Sequence, residues 1–81
     1  MRITFNPHAR DQLQEYDISE QRALETLSNP DNEYSSYKGR FVAEKVFPGE
    51  QLAIKVVYNL GLRGERAVVT VMRGRPQPKE G

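Results

Sequence analysis

The 81-residue chain contains no cysteine, which excludes disulfide bonds, thiolate metal sites and a cysteine nucleophile. It contains one histidine and scattered carboxylates, which give no metal-ligand spacing, so we expect neither a metal nor a cofactor. It also lacks an apolar run of about 18 residues, and MRITFNPHAR has no hydrophobic region of the signal-peptide type. We therefore expect a soluble, cytoplasmic protein with no membrane partner.

Charge is distributed unevenly along the chain, although the net charge is only +1. Residues 1–33 carry seven acidic and three basic side chains, whereas residues 34–81 carry nine basic and four acidic ones. This asymmetry could guide an anionic partner towards the second part of the chain.

Two short helices are predicted in the first 30 residues, after a strand over residues 2–5. Asn6, followed by a proline, suits the start of the first helix, and Asp17 suits its end. Ser19 suits the N-cap of the second helix, which the Asn-Pro pair at 29–30 ends. Helices this short are unstable alone, so we expect both to lie on a sheet.

Residues 40–59 are predicted to form a β-hairpin. Two runs rich in valine, isoleucine and aromatic residues flank Pro48-Gly49, which suits the centre of a type II turn. Placing Phe47 opposite Glu50 pairs Lys45 with Leu52 and gives a nearly all-apolar core face. A bulge at the turn would exchange the faces of one strand, so the register stays open. The second face mixes charged and apolar side chains: Arg40, Val42, Glu44, Val46, Ala53, Lys55 and Val57.

The complete pattern predicts an α+β fold of two layers. A polar strand over residues 33–37 precedes the hairpin, and a strand over residues 66–72 follows it. The order is β-α-α-β-β-β-β, with two N-terminal helices packed on an antiparallel sheet whose other face is open to solvent or a ligand. We assign residues 1–75 to a single domain and residues 76–81 to a flexible tail.

Several stretches resemble a family of small uncharacterised bacterial domains. They are NPHARDQLQEYDISEQRALETLSNPD, YKGRFVAEKVF, LAIKVVYN and VVTVMR, within residues 4–73. That family is similar to the RelE, ParE and BrnT toxins of bacterial toxin–antitoxin pairs, which share a barnase-like endoribonuclease fold. The resemblance implies a RelE-like domain that binds RNA or the ribosome, with metal-independent endoribonuclease activity, and that pairs with a small antitoxin-like protein.

The resemblance also implies a set of site residues. RNA cleavage by 2′-OH attack needs a base, positive charge at the phosphate and an acid for the leaving oxygen. A histidine suits either proton-transfer role at neutral pH, and His8 would lie at a helix N-terminus, which favours phosphate. The alternative is a solvated polar residue at a helix end. The implied candidates are His8, Arg40, Lys45, Lys55 and Arg73, joined by Tyr58.

Glu44 is a further candidate as the general base, if Arg40 and Lys55 contact phosphates. Arg40 is the better phosphate ligand, because a planar guanidinium binds two oxygens at once. The alternative is an ion pair between Glu44 and Lys55 on the surface of the sheet, worth roughly 0–1 kcal/mol. The predicted catalytic set is therefore His8, Arg40, Glu44 and Lys55.

The predicted RNA-binding set is Lys45, Tyr58, Arg73 and Arg75. Lys45 and Tyr58 fall on the core face, where Lys45 would extend from the core edge and Tyr58 would fill the core. Arg73 and Arg75 follow the last strand, either as a salt-sensitive phosphate clamp or as part of a mobile basic tail.

The alternative function is a non-catalytic interaction module of the same fold, which binds a protein partner or nucleic acid. Val42, Val46 and Val57, among the charges of the second sheet face, would suit a protein interface. A third possibility is a homodimer formed through an exposed edge strand, with no chemistry. We expect the protein to be a monomer or a homodimer.

Overall fold

A computed structural model describes residues 2–78, so part of the predicted tail, residues 79–81, lies outside the described residues. The chain is α+β, as the sequence predicts. A 3-10 turn over Tyr37–Gly39 lies between the second and third strands. The strands are β1 (Ile3–Phe5), β2 (Asn32–Ser35), β3 (Arg40–Lys45), β4 (Ala53–Leu60) and β5 (Arg66–Gly74), and the helices are α1 (Pro7–Glu15) and α2 (Glu20–Ser28), both between β1 and β2.

The strands form one mixed sheet in the order β1-β5-β4-β3-β2. β2, β3, β4 and β5 are antiparallel neighbours, whereas β1 pairs in parallel with β5, with Ile3 opposite Arg66. The prediction of an antiparallel sheet is therefore wrong at this edge. The chain between β1 and β5 includes both helices and the other strands, and this long connection allows a parallel pair that a tight hairpin could not make.

Side-chain caps fix the start of each helix. Asn6 Oδ1 accepts a hydrogen bond from the backbone N–H of Ala9 at 2.8 Å, and Ser19 Oγ accepts one from Arg22 at 3.1 Å. Asp17, just beyond α1, adopts a positive φ of 53°, which a continuing helix cannot accommodate. No helix among residues 2–78 is long and apolar enough to cross a membrane.

The core lies between the two helices and the sheet face that they cover. Interior alanines at positions 9, 23 and 43 are completely buried, which allows the helices to approach the strands closely. Larger core side chains come from both helices, from β4 and β5, and from the loops: Leu13, Ile18, Leu27, Phe47, Ile54, Val56, Tyr58, Val68 and Val71.

The β3–β4 hairpin has the predicted faces but another register. Its turn is present, because the Glu50 N–H donates to the Phe47 carbonyl at 3.0 Å and Gly49 has a φ of 82°. The prediction that Lys45 pairs with Leu52 is wrong, because Lys45 lies opposite Ile54 and residues 46–52 form a wider loop. A shift of two residues keeps every side chain on its predicted face.

Candidate functional site

A shallow groove of about 500 Å³ lies at one end of the sheet, on the face that carries the helices. The groove begins where α2 ends, since Arg66 donates from Nη1 to the Leu27 carbonyl at 2.9 Å. Its lining comes from four neighbouring strands: Glu33, Tyr34 and Ser35 of β2, Phe41 of β3, Tyr58 and Leu60 of β4, and Arg66 of β5.

Three polar side chains of the groove, which we call the groove cluster, are Glu33, Tyr58 and Arg66. The Tyr58 hydroxyl donates a hydrogen bond to Glu33 Oε2. Arg66 Nη1 lies 3.8 Å from the same oxygen. Both contacts use Oε2 and neither uses Oε1. The cluster therefore holds one carboxylate oxygen in place, and the other oxygen takes no part in either contact.

Contacts with aromatic rings position Arg66 and Tyr58 in the groove cluster. The guanidinium carbon of Arg66 lies 4.9 Å from the centre of the Tyr58 ring. The Tyr58 ring in turn stacks on Phe41, with ring centres 5.7 Å apart and an angle of 24° between the planes. The Arg66 side chain is only 18% exposed, so its cation–π contact is partly desolvated and stronger than a surface contact. Arg66 is consequently positioned before any ligand arrives.

Burial is the main reason that the pKa of Tyr58 is raised to about 12. Its hydrogen bond to Glu33 and the negative charge of Glu33 raise the pKa further, while the positive charge of Arg66 lowers it. Tyr58 therefore keeps its proton at neutral pH. In the groove cluster it serves as a hydrogen-bond donor to Glu33, and a phenolate base is excluded at that pH.

Two of the predicted catalytic residues meet on the opposite, outer face of the sheet. Lys55 Nζ lies 3.5 Å from Glu44 Oε1, but this is not the predicted surface pair, because Glu44 is 1% exposed and Lys55 is half-buried. Glu44 also accepts hydrogen bonds from the Tyr34 hydroxyl at 3.3 Å and from the Gln77 backbone N–H at 2.7 Å. The second bond ties the predicted tail to the outer face. A carboxylate covered in this way is suited to a structural role, and its role as general base stays a prediction.

The other two predicted catalytic residues lie apart from this pair. His8 is exposed in the first turn of α1, within the helix layer. Arg40 begins β3 opposite Asn59 and alternates with the core residue Phe41, so it belongs to the outer face. The sheet separates His8 from Arg40, and the structure does not assemble the four predicted catalytic residues at one site.

The four predicted RNA-binding residues have separate surroundings. Lys45 Nζ donates to the Asn29 carbonyl at 3.0 Å and lies 3.7 Å from Asp31 Oδ1, so this side chain extends from the core edge as predicted. Arg73 donates to the carbonyls of Tyr16 and Asp17, at 3.1 and 3.2 Å, and so holds the end of α1. Arg75 is exposed beyond β5. Tyr58 alone of the four lines the groove.

Sequence reasoning missed Glu33 and Arg66 as site residues. Glu33 lies opposite Ala43 on the helix-side face, and Arg66 lies opposite Ile3. Each is a charged residue at a position where the alternation of its strand points towards the core. That signal becomes readable only when the registers of β1, β2 and β5 are known.

The end of the sheet that carries the groove is positively charged. The Tyr37–Gly39 turn, the β4–β5 loop and the start of β1 all lie at this end, as the strand pairings require. Glu65 is the acidic residue of these segments, and its Oε2 accepts a hydrogen bond from the Arg63 N–H at 3.1 Å. The balance favours an anionic ligand. The basic residues here are Arg2, Lys38, Arg40, Arg63 and Arg66.

Among residues 2–78, no three histidine, cysteine, aspartate or glutamate side chains are grouped so that they could hold a metal ion. Comparison with protein-family models, curated proteins and solved structures finds no match to this chain. Function must therefore be argued from the geometry of the groove.

Proposed function

We propose that this chain is a RelE-like RNA-binding protein of the cytoplasm, which cleaves RNA without a metal ion and acts as the toxin of a toxin–antitoxin pair. One observation carries the proposal. A carboxylate, a guanidinium and a protonated phenol converge in an aromatic-lined groove at the basic end of the sheet. These groups meet the needs of phosphodiester cleavage by a neighbouring 2′-hydroxyl.

In the proposed reaction, the 2′-oxygen of the RNA attacks the adjacent phosphorus and the bond from phosphorus to the 5′-oxygen breaks. The products are a 2′,3′-cyclic phosphate and a free 5′-hydroxyl, whose proton comes from water in the open groove. Glu33 accepts the 2′-hydroxyl proton through Oε1, because its Oε2 already binds Tyr58. Arg66 compensates the negative charge that builds up on the phosphate oxygens.

Tyr58 acts in this scheme as a positioning residue. Its hydroxyl keeps a proton because its pKa is raised to about 12, and that proton fixes the orientation of the Glu33 carboxylate. The Phe41 ring stacks on the Tyr58 ring and helps to hold it in place. A carboxylate held in one orientation loses less entropy when it takes part in a reaction.

A second candidate is a non-catalytic module that binds RNA or an antitoxin-like protein partner through the same groove. The observation in its favour is that Glu33 already has two partners, Tyr58 and Arg66, without any ligand. A cluster so satisfied could bind a phosphate through Arg66 and leave the RNA intact.

Cleavage of end-labelled single-stranded RNA tests both candidates. Free RNA is incubated with the chain in the presence of EDTA, and messenger RNA on translating ribosomes is incubated with it in the Mg²⁺ that ribosomes need. We expect Glu33→Gln to slow cleavage by about 100-fold or more, because the amide cannot accept the proton, while RNA binding is kept. Glu15→Gln is the matched control, since Glu15 is an exposed carboxylate at the end of α1. Binding without cleavage by the natural chain would favour the module. If the natural chain neither binds nor cleaves the RNA, the proposal of an RNA-binding function is overturned.

A further inference from the structure

Tyr37 is the most exposed aromatic residue between residues 2 and 78, with 85% of its surface accessible. The other aromatic residues are buried or half-buried, except Tyr16 at 38%. A fully exposed ring gains almost nothing from hydrophobic burial. Its exposure is therefore not explained by the stability of the fold.

The turn that carries Tyr37 continues directly from the groove. Ser35 and Phe41 lie opposite each other at the ends of β2 and β3, and both line the groove. The chain from Ser35 to Phe41 passes through Tyr37 and returns. The exposed ring therefore lies beside the groove, at the basic end of the sheet.

The backbone holds this turn in one conformation. Lys38 has a φ of 57°, which is unfavourable for a residue with a Cβ atom, and Gly39 follows with a φ of 73°. Two hydrogen bonds close the turn: the Ser36 N–H donates to the Arg40 carbonyl at 2.7 Å, and the Arg40 N–H donates to the Tyr37 carbonyl. The turn therefore holds the exposed ring at a defined position next to the groove.

We propose that Tyr37 is a stacking platform for an unpaired base of single-stranded RNA whose backbone enters the groove. The inference rests on the proposed RNA-binding function and identifies the substrate as single-stranded. Lys38 follows the ring in the chain, and Arg63 lies on the loop at the same end of the sheet. Proteins that bind single strands combine exposed aromatic rings with a cationic path for the backbone. The cations favour RNA over a protein partner for this ring.

Fluorescence offers a direct test, because the chain contains no tryptophan. A Tyr37→Trp variant carries a single tryptophan, and stacking of a base should quench its emission. The probe is a single-stranded 2′-O-methyl octanucleotide, which binds but cannot be cleaved because its 2′-hydroxyl is blocked. We expect saturable quenching by this probe and little quenching by the same sequence in a blunt duplex, whose bases are already stacked.

Affinities for the same probe complete the test. Tyr37→Ala should weaken binding about 5- to 100-fold, whereas Tyr37→Phe should bind normally, because stacking needs the ring and not the hydroxyl. Tyr16→Ala, at an exposed ring beyond α1, should leave affinity unchanged. Thermal unfolding should confirm that each variant folds, because Tyr37 and Tyr16 are both exposed on the surface.

The outcomes separate the two proposals. If the natural chain binds the probe and Tyr37→Ala binds equally well, the stacking role is overturned and the RNA-binding function stands. If the natural chain binds no RNA, both fail. Normal RNA affinity of Tyr37→Ala, combined with loss of growth arrest on induced expression, would assign the ring to a protein contact and overturn the stacking role.

Discussion

Tyr58→Phe tests the groove cluster through the pH dependence of stability. The substitution removes one hydroxyl and keeps the ring, so the contacts with Phe41 and Arg66 are retained. What is lost is the hydrogen bond to Glu33 and the titratable proton of a buried phenol. At neutral pH we expect the free energy of unfolding to fall by about 1–2 kcal/mol, because the Glu33 carboxylate loses its donor.

At alkaline pH the titration of Tyr58 predicts a second change in the free energy of unfolding. The pKa of Tyr58 is about 12 in the folded chain, against 10.0 when the side chain is free. Between these values the unfolded chain loses the phenolic proton while the folded chain keeps it. The folded state is therefore stabilised in full below pH 10, and this contribution is lost as the pH rises towards 12. A pKa difference of two corresponds to roughly 2.7 kcal/mol, of which about half is lost by pH 11.

Urea unfolding of the natural chain and Tyr58→Phe at several values between pH 8 and pH 11 measures this effect. The difference in the free energy of unfolding between the two chains should shrink as the pH rises. Only the natural chain loses stability in this range, because its unfolded state releases a phenolic proton that its folded state keeps, and phenylalanine has no such proton. Tyr37→Phe makes the same chemical change at an exposed ring, and its stability should follow the natural chain throughout. A constant difference between the natural chain and Tyr58→Phe over this range would refute the assignment of a buried, proton-holding Tyr58.

Two further substitutions test contacts that position the elements of the fold. Glu44→Ala should lower the free energy of unfolding, measured in urea, by about 3 kcal/mol, because it leaves the half-buried Lys55 and the Tyr34 hydroxyl without their acceptor. Glu44→Gln should lose less stability, since its amide oxygen still accepts a hydrogen bond, and equal losses would contradict this reasoning. Asn6→Ala should lower the free energy of unfolding, measured by thermal unfolding, by about 1 kcal/mol, because the α1 N-cap is lost. Asn6→Asp should change it little, since an aspartate oxygen can accept the same hydrogen bond. An equally large loss with Asn6→Asp would contradict the stabilising role of the cap.

The local part of the fold could be predicted from the sequence because its causes are local. Asn6 and Ser19 act as N-caps through bonds to residues three positions away. Pro48-Gly49 forms its turn through a bond that spans three residues. The faces of β3 and β4 also follow from alternation, which a register shift of two residues does not disturb.

The remaining features depend on contacts between distant parts of the chain. Whether β1 pairs in parallel or antiparallel is decided by where β5 lies, more than 60 residues later in the sequence. The widening of the β3–β4 loop is a feature of this kind, because the Glu50 N–H donates to the Phe47 carbonyl as a tight turn predicts, yet Lys45 lies opposite Ile54 and not opposite Leu52. No pattern within either strand carries this information.

The groove cluster also depends on contacts between distant parts of the chain, so the sequence alone did not predict it. Its position on the core face of the sheet bears on its function. Glu33 and Arg66 are charged residues at inward-facing positions, next to Tyr58 and Phe41. Replacing a partly buried ion pair by apolar side chains is often neutral or stabilising. A sheet face built for stability alone could therefore extend the core across the groove, with apolar side chains in place of Glu33 and Arg66. Instead this end of the face stays polar, open to solvent and close to several basic residues, which is why we propose that it binds a phosphate.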